Sequence, residues 1–245
     1  MAIYGLIGYP LSHSFSKKYF ENKFQSESLR DNQYKLFEIE KVDSLKDIIK
    51  QNPNLKGLNI TIPHKESVIP YLDKLNDTAK KVGAVNVIRV EDKYLTGYNS
   101  DYFGFEKSLF QWFPEVKISK AVILGTGGAA KAVMAVLKDN NIEFTLVSRT
   151  ESTHAISYQR LNTSNIIAES NLIINTTPLG MAPKPEGHPA IDYNQLSDTH
   201  YVYDLIYNPA ETTFLKKAYQ HGAKIKNGYE MLELQAEKSW EIWTS

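Results

Sequence analysis

Hydrophobic and polar positions follow one pattern over the first hundred residues of the chain and another pattern after them. In the first part, short strand-like apolar segments alternate with segments in which apolar residues recur every three or four positions. The pattern predicts, in chain order, a strand at 2–7, a helix at 16–24, a strand at 34–39, a helix at 42–50 and a strand at 57–62. Segments 85–90 and 93–96 predict a hairpin that turns at Glu91 and Asp92. We therefore expect an N-terminal α/β domain.

The second part carries strands that are apolar at every position. The pattern predicts strands at 120–124, 142–147, 172–175 and 201–205 and a helix at 129–138. Continuous apolar strands separated by helices are typical of a parallel sheet that is covered on both faces, so we predict a Rossmann-like, doubly wound domain. Near the end, an apolar stripe at helical spacing predicts a helix with a core-facing side, formed by Leu232, Ala236, Trp240 and Trp243.

Composition and charge exclude several classes of protein. The 245 residues contain 28 Lys and Arg against 28 Asp and Glu, and this zero net charge disfavours binding to nucleic acid or to an anionic membrane surface. Cysteine is absent, which removes disulfides and thiolate chemistry. No apolar stretch approaches the ~20 residues that span a bilayer, and we expect a cytoplasmic protein. The histidines are scattered without the spacing of metal ligands, so we expect no metal.

The most informative local signal is a glycine-rich turn at residues 125–130. Gly125, Gly127 and Ala130 match G-x-G-x-x-A between a predicted strand and a predicted helix. The first glycine permits a tight turn, the second lets the backbone approach a pyrophosphate, and the small third residue lets helix and strand pack closely. The alternative is a turn that binds nothing, but the flanking elements favour a dinucleotide site.

The end of the next strand indicates which dinucleotide is bound. NAD-binding folds place a carboxylate about 20 residues after the first glycine. Here the strand is followed by Ser148, Arg149 and Thr150, while Glu143 lies at its other end. A guanidinium flanked by hydroxyls suits the 2′-phosphate of NADP, because Arg offers paired donors to its oxygens. A solvated Arg149 is the alternative, and we predict NADP.

Polar residues of the first part each have two interpretations. Ser14 and Ser16 precede a predicted helix and either cap it or hold a small carboxylate, and from chemistry alone capping is favoured. Lys65 follows a strand and a proline, where a lone lysine is most often solvated. Asn86 and Asp101 lie near glycines and have an explanation as turn formers.

Taken together and in order, these segments resemble the shikimate dehydrogenase family. The resemblance covers nearly the whole chain, and the ordered set is far more specific than any one motif. Its segments are GYPLSHSFS at 8–16 (which includes His13), NITIPHKE at 59–66, GAVN at 83–86, GYNSD at 97–101, GTGGA at 125–129, NTTPLGM at 175–181 and NGYEMLELQA at 227–236.

The resemblance implies an activity and a set of site residues. The activity is the NADP-dependent, reversible reduction of 3-dehydroshikimate to shikimate in chorismate and aromatic amino-acid biosynthesis, with Lys65 and Asp101 as the acid–base pair. The implied substrate contacts are Ser14, Ser16, Asn59, Thr61, Asn86, Asp101, Tyr207 and Gln235. The implied cofactor contacts are Asp77, Gly125, Thr126, Gly127, Gly128, Ala129, Ser148, Arg149, Thr150, Leu205 and Gly228.

The resemblance also implies a domain organisation. Residues 1–100, completed by a C-terminal helix at 228–245, are expected to form the substrate domain, and residues 101–227 the NADP domain, with the substrate in a cleft between them. The expected partners are small molecules alone, and a monomer and a homodimer both remain open.

Some positions depart from the family pattern. Lys17 stands where proline is usual, and Val87 and Ser100 replace threonines. A second basic residue after Arg149 is missing, since residues 153–154 are Thr and His. The preference for NADP over NAD is therefore left open.

Three other functions remain as alternatives. One is a quinate/shikimate dehydrogenase of broader specificity, and another is a non-catalytic NADP-binding sensor of the same fold. The third, a folate dehydrogenase-like protein, would not predict the pair Ser14 and Ser16.

Overall fold

Two six-stranded sheets organise the residues that the computed structural model describes, which are 1–11, 14–113 and 118–245. Each sheet belongs to its own unit: the first consists of Met1–Ser100 with Ala236–Ser245, and the second of Asp101–Gln235. Residues 228–235 thus group with the second unit. The expected domain organisation, with boundaries at 100 and 228, stays a prediction.

The first unit is built around a mixed sheet in the order β2-β1-β3-β5-β6-β4. Strands β1, β2 and β3 are parallel, whereas β5 is antiparallel to both β3 and β6. The elements are β1 (Ala2–Gly8), α1 (Phe15–Ser26), β2 (Asn32–Glu38), α2 (Leu45–Gln51), β3 (Leu55–Ile60), β4 (Lys74–Leu75), α3 (Asp77–Val82), β5 (Val87–Glu91) and β6 (Tyr94–Tyr98).

The apolar run of β1 is continuous because both faces of the first sheet are covered. Ile7 packs with Leu58 in one buried cluster, while Tyr4 packs with Phe20 and Trp243 in another. Successive side chains of a strand point to opposite faces, so neighbouring apolar residues enter different cores.

Several predicted boundaries in the first unit are wrong by one or two residues, and two of them have a visible cause. The strand predicted at 57–62 ends at Ile60, because the His64 N–H donates to the Thr61 carbonyl, 2.9 Å away, and closes a turn. The hairpin turns at Asp92 and Lys93 rather than one residue earlier. Both residues have positive φ, 50° and 71°, as a two-residue hairpin turn requires.

The second unit is an all-parallel sheet in the order β12-β11-β10-β7-β8-β9. This is the doubly wound order, in which the direction of winding reverses between β7 and β10. Its elements are α4 (Ser100–Trp112), β7 (Lys120–Leu124), α5 (Gly128–Asp139), β8 (Glu143–Ser148), β9 (Ile156–Ser157), α6 (Tyr158–Asn162), β10 (Leu172–Asn175), β11 (Tyr201–Asp204), α7 (Thr213–Gln220), β12 (Lys224–Lys226) and α8 (Tyr229–Thr244). The predicted α/β class with a Rossmann-like second part is confirmed.

The stripe predicted near the end of the chain lies on α8. Ala236 and Trp243 are buried in the first unit, as expected, and Trp240 is partly buried against the same cluster. Met231, earlier on the same helix, is buried in the core of the second unit. One helix therefore contributes apolar side chains to both units.

Candidate functional site

The glycine-rich turn lies where the strand order of the second sheet reverses. Gly125 follows β7 with φ +112°, and a Cβ at this position would lie 2.6 Å from Thr176 Oγ1 and 2.9 Å from Thr177 Cγ2. Glycine is needed here for its backbone conformation and because the loop after β10 approaches so closely. Ligands of doubly wound sheets bind at the carboxyl ends of the strands at such a reversal.

Gly127 and the start of α5 leave room for a ligand. A Cβ on Gly127 would meet nothing within 4 Å, so packing does not explain why this residue lacks a side chain. Gly127 is the N-cap of α5, no side chain caps the helix, and no acidic residue occupies its first turn. The first N–H groups of this 12-residue helix suit an anion such as a pyrophosphate. Thr126, Gly128 and Ala129 complete the turn.

Arg149 is exposed just beyond the end of β8. The Ser148 hydroxyl donates to the Thr150 carbonyl, which folds the chain around Arg149. Burial raises the pKa of Tyr158 to about 12, and the positive charge of Arg149 acts in the opposite direction. The nearby carboxylate of Glu151 is paired with Arg160 at 2.8 Å, so in the described part of the chain no carboxylate neutralises Arg149.

Leu205, Tyr207 and Gly228, which the family resemblance implies as ligand contacts, lie after β11 at the carboxyl edge of the second sheet. A Cβ on Gly228 would lie 2.1 Å from the Leu205 carbonyl oxygen, and the Gly228 N–H donates to the Ile206 carbonyl at 3.0 Å. Only glycine permits this backbone approach. Tyr207 follows directly and is partly buried, which raises the pKa of its hydroxyl. The glycine turn, Arg149 and the backbone cradle formed by Leu205 and Gly228 together fit a phosphorylated dinucleotide.

Ser14 occupies the N-cap position of α1 without capping it. Its backbone is extended, yet its side chain makes no capping bond. The hydroxyl is buried and has no hydrogen-bond partner among the described residues. The favoured interpretation of Ser14 as a cap is therefore wrong. A buried hydroxyl without a partner costs about 1–3 kcal/mol, which is expected of a group that a ligand satisfies.

Asn86 is held by the residue that precedes Asp101. The Ser100 N–H donates to Asn86 Oδ1 at 2.7 Å, and Asn86 Nδ2 donates to the Ser100 hydroxyl at 2.9 Å. The Ser100 hydroxyl lies 3.2 Å from the hydroxyl of Ser239 on α8. Asp101 comes next in the chain, with only 7% of its surface exposed. The two bonds with Ser100 fix the Asn86 side chain beside the first residue of α4.

Asn59 extends this network toward Ser16. Asn59 Nδ2 donates to the Ser239 hydroxyl at 3.0 Å, and the Tyr34 hydroxyl donates to Asn59 Oδ1 at 2.7 Å. The hydroxyl of Ser16 hydrogen-bonds that of Tyr34, whose pKa burial raises far above its ordinary value. A continuous set of bonds, here called the neutral network, thus joins Ser16, Tyr34, Asn59, Ser239, Ser100 and Asn86.

Lys65 lies at the same edge of the first sheet. Its carbonyl accepts the Val85 N–H at 2.7 Å, next to Asn86, and its side chain is partly buried. Two further bonds fix the preceding turn: Thr61 N–H to the Ile7 carbonyl at 2.9 Å, and His64 Nε2 to the Ile39 carbonyl at 2.8 Å. The implied substrate residues of the first unit therefore gather where β1 and β3 end and β5 begins.

Two implied residues make contacts within their own helices, and one motif residue is not described. Asp77, in the first turn of α3, is fully exposed and pairs with Lys80 at 3.4 Å. Gln235 Nε2 donates to the Leu232 carbonyl at 2.9 Å, within α8. His13 lies outside the described residues.

Sequence reasoning missed several residues of both clusters. Tyr34, Ser100 and Ser239 carry the neutral network. Tyr34 and Ser239 gave no signal as single residues, and Ser100 was noted only as a departure from the family pattern. Asp204, buried at the end of β11, and Thr212 were also missed. For Asp204 a signal existed, since an acidic residue inside an apolar strand is rarely buried without a purpose.

Two searches over the described residues gave negative results. No group of three or more His, Asp or Glu side chains in that part could hold a metal ion. None of its helices is both long enough and apolar enough to cross a membrane.

Comparison with known proteins identifies the family. A family model described as the shikimate dehydrogenase substrate binding domain matches residues 6–88. A protein of Clostridium beijerinckii named shikimate dehydrogenase (NADP(+)) is 43% identical, over 99% of this chain and 92% of its own length. The chain belongs to the shikimate dehydrogenase family.

Solved structures of shikimate dehydrogenases match the fold over the whole chain. Shikimate dehydrogenase 1 from Peptoclostridium difficile has a TM-score of 0.86 and 38% identity, covering 100% of this chain and 92% of that one. Shikimate 5-dehydrogenase from Listeria monocytogenes, solved with shikimate and NAD, has a TM-score of 0.85 and 30% identity, covering 100% and 92%. The family recognised from sequence motifs is therefore confirmed.

Proposed function

We propose that this protein is an NADP-dependent shikimate dehydrogenase that interconverts 3-dehydroshikimate and shikimate. The observation that carries the proposal is the buried Ser14 hydroxyl, which has no partner in the described part of the chain and lies at the sheet edge where Lys65, Thr61 and Asn86 also gather. The chain has, in addition, an open glycine turn at the strand reversal of its second sheet. A hydroxylated carboxylic acid and a dinucleotide are the ligands that these two groups suit.

The first unit recognises the substrate with neutral donors and acceptors. Ser14 donates its hydroxyl hydrogen to the substrate carboxylate, and the hydroxyl hydrogen of Ser16 turns from Tyr34 toward the same group. Thr61 and Asn86 bond the ring hydroxyls, and the neutral network holds Asn86 in place. Asn59, Tyr207 and Gln235 are proposed as further substrate contacts.

Lys65 and Asp101 act as the acid–base pair. NADPH, when bound, supplies the hydride that reduces the carbonyl carbon. The Lys65 ammonium stabilises the negative charge that develops on the carbonyl oxygen and donates a proton to it, and the Asp101 carboxylate orients Lys65 and shares that proton. For Asp101→Asn we expect a loss mainly in turnover, because the amide keeps the shape of the side chain and removes its charge.

The second unit holds the cofactor through backbone N–H groups and Arg149. The turn at 125–129 and the first turn of α5 would hold the pyrophosphate, and Arg149 with Ser148 and Thr150 the 2′-phosphate. Leu205 and Gly228 would border the nicotinamide end, and Asp77 is a weaker candidate. Only one uncompensated guanidinium follows β8, so NAD is expected to bind as well, more weakly.

The deciding experiment follows shikimate oxidation by absorbance, with NADP and NAD in parallel. We expect shikimate-dependent reduction of NADP, and slower reduction of NAD. Arg149→Gln should lower the ratio of the two kcat/KM values about tenfold, as loss of one charged hydrogen-bonding group predicts. Arg30→Gln, which removes an exposed arginine of the first unit, is the matched control. Absence of turnover with both cofactors would contradict the proposal.

Two alternatives give different results in the same assay. Comparable kcat/KM values for quinate and shikimate would favour the broader quinate/shikimate dehydrogenase. NADP binding without turnover of shikimate or 3-dehydroshikimate would favour a non-catalytic sensor. A cytoplasmic location, and a monomeric or homodimeric state, stay predictions.

A further inference from the structure

A buried carboxylate lies under the proposed cofactor edge of the second unit. Asp204 ends β11 and has no exposed surface. It accepts hydrogen bonds from Asn175 Nδ2 at 3.0 Å, from the Ile206 N–H at 3.1 Å and from the Thr212 hydroxyl at 2.6 Å. No Lys or Arg of the described chain forms an ion pair with it.

Burial of an unpaired carboxylate is costly, and the surroundings of Asp204 show that cost. Burial raises the pKa of Asp204 to about 6 from the ordinary 3.8, while its three hydrogen-bond donors act in the opposite direction. An apolar residue in its place would avoid this cost. The carboxylate is therefore expected to do something other than stabilise the fold.

One carboxylate oxygen orients the loop after β10. Asp204 Oδ1 accepts a hydrogen bond from Asn175 Nδ2, and this bond turns the amide oxygen of Asn175 toward Thr177. That oxygen accepts the Thr177 N–H at 3.0 Å and its hydroxyl at 2.6 Å. Thr176 and Thr177 are the residues that close against Gly125. The loop that faces the glycine turn is thus tied to Asp204 through a single amide.

The same oxygen fixes the chain after β11. It accepts the Ile206 N–H, and the Ile206 carbonyl in turn accepts the Gly228 N–H at 3.0 Å. The Leu205 N–H donates to the Asn175 carbonyl at 3.0 Å. The backbone cradle at Leu205 and Gly228 is therefore attached to the same carboxylate.

The other oxygen of Asp204 bonds a residue that borders the end of the loop after β10. Asp204 Oδ2 accepts the hydroxyl hydrogen of Thr212, the N-cap of α7, whose oxygen accepts the Leu215 N–H at 3.3 Å. A Cβ on Gly180 would lie 3.4 Å from the Thr212 Cβ, so Thr212 borders this loop at its end. Asp204 thus meets both ends of the loop and the segment beside it.

We propose that Asp204 is a positioning residue for the dinucleotide, whose buried charge holds the loop at 176–180 and the segment at 205–206 in the arrangement that binds NADP. This inference rests on the proposed function, because it takes the edge to be a cofactor site. Asp204 acts through Asn175, Ile206 and Thr212 and does not touch the cofactor.

The test compares NADP affinity of wild type and Asp204→Asn between pH 5 and pH 8, by quenching of intrinsic fluorescence. At pH 8 we expect Kd to be about tenfold higher in Asp204→Asn, since hydrogen bonds to a charged group are the strong ones. At pH 5 the wild-type carboxyl is protonated, so the two Kd values should converge. Asp192→Asn is the matched control, since Asp192 accepts only local bonds at Asn194 and Gln195.

Dividing the Kd of Asp204→Asn by that of wild type at each pH cancels any pH dependence of NADP binding that the two proteins have in common. Tyr193 faces Asp204, which contributes to the raised pKa of that phenol after burial and Tyr158. His188 hydrogen-bonds Tyr193, and Lys217 of α7 lies 5.5 Å from the centre of its ring. Tyr193, His188, Lys217 and the 2′-phosphate of NADP are present with both proteins, so wild type and Asp204→Asn differ in composition at residue 204 alone.

A second pair of variants tests the same idea with a milder change. Thr212→Val removes one donor to the carboxylate, which should weaken NADP binding several-fold at pH 8 and move the pH at which affinity falls to a higher value. Thr212→Ser keeps the hydroxyl and should behave as wild type. This pair decides the matter if Asp204→Asn does not fold.

The possible outcomes are distinct. Equal Kd values for wild type and Asp204→Asn at pH 8, or a tenfold difference that persists at pH 5, would overturn the positioning role while leaving the proposed function intact. A wild-type protein that binds no NADP at pH 8 would overturn the proposed function and this inference with it.

Discussion

The two units organise their polar groups by different physical means. In the first, the neutral network connects hydroxyls and amides, and it holds the side chains proposed to bind the substrate. In the second, the proposed ligand groups are mostly backbone N–H groups, and one buried charge, Asp204, ties the loops that carry them. Ligand binding by the first proposed site should therefore depend on the identity of its side chains, whereas binding by the second should depend on backbone conformation and on pH.

The largest effect expected from this comparison is on turnover alone. Lys65→Ala removes the cation that stabilises the carbonyl oxygen, and we expect kcat to fall ~10²–10⁴-fold, the usual contribution of a positioned proton donor. The Kd for NADP should not change, because the cofactor groups lie in the second unit. Lys18→Ala, an exposed lysine of α1, is the control. Near-normal turnover of Lys65→Ala in steady-state assays would show that the assignment is wrong.

The buried carboxyl of Asp204 should add a pH-dependent contribution to the stability of the second unit. The pKa of Asp204 is about 6 in the folded protein and 3.8 ordinarily, so between these values the folded state binds more protons than the unfolded state. Stability therefore falls as pH rises from about 4 to 6, by at most about 3 kcal/mol. In thermal unfolding, the Tm of wild type minus that of Asp204→Asn should decrease over this range. A constant difference would show that burial does not shift this carboxyl.

Two glycine variants should separate conformation from ligand approach in the second unit. Gly125→Ala puts a side chain at φ +112° and against Thr176, so we expect unfolding free energy to fall by about 2 kcal/mol and NADP affinity to fall with it. Gly127→Ala meets no neighbouring atom, so stability should be kept while NADP affinity falls about tenfold. Calorimetry and NADP titration measure both. Unchanged NADP affinity in Gly127→Ala would place the pyrophosphate elsewhere.

The smallest effect is expected from a single deletion in the neutral network. Tyr34→Phe removes the bond to Asn59 Oδ1, which should cost about 1–2 kcal/mol of unfolding free energy and raise KM for shikimate several-fold. NADP affinity should stay the same, and the stability loss should not depend on pH between 5 and 8, since no member of the network is charged. Tyr94→Phe, on the exposed hairpin, is the control. A matching loss of NADP affinity would contradict the view that the neutral network supports substrate binding alone.

Local chemistry explains why the glycine turn and Arg149, which form part of the proposed cofactor site, could be predicted from the residues themselves. The conformation of Gly125 and the open start of α5 follow from a few consecutive residues between a strand and a helix. The position of Arg149 follows from the end of the next strand. The substrate groups were different, because Ser14, Thr61, Lys65 and Asn86 each had a common alternative role, and only resemblance to a family singled them out.

The first prediction for Ser14 failed for a related reason. N-cap preference is a statistical property of helix starts, and α1 does begin directly after Ser14. The partner of the hydroxyl, however, is decided by what packs around it, and it makes no bond to the free N–H groups of the helix. The end of β3 was likewise set by the turn between Thr61 and His64.

The sequence by itself determined the class of fold, the order of the principal strands, the glycine turn and the family, because apolar periodicity and turn chemistry depend on neighbouring residues. Only the tertiary structure decided that the Ser14 hydroxyl has no partner among the described residues, that Tyr34, Ser100 and Ser239 link the proposed substrate side chains, and that Asp204 ties the proposed cofactor loops. Apart from the bond between Asp204 and Ile206, these bonds join residues between 8 and 180 positions apart in the chain. Such partners are chosen by packing, and no local pattern records them.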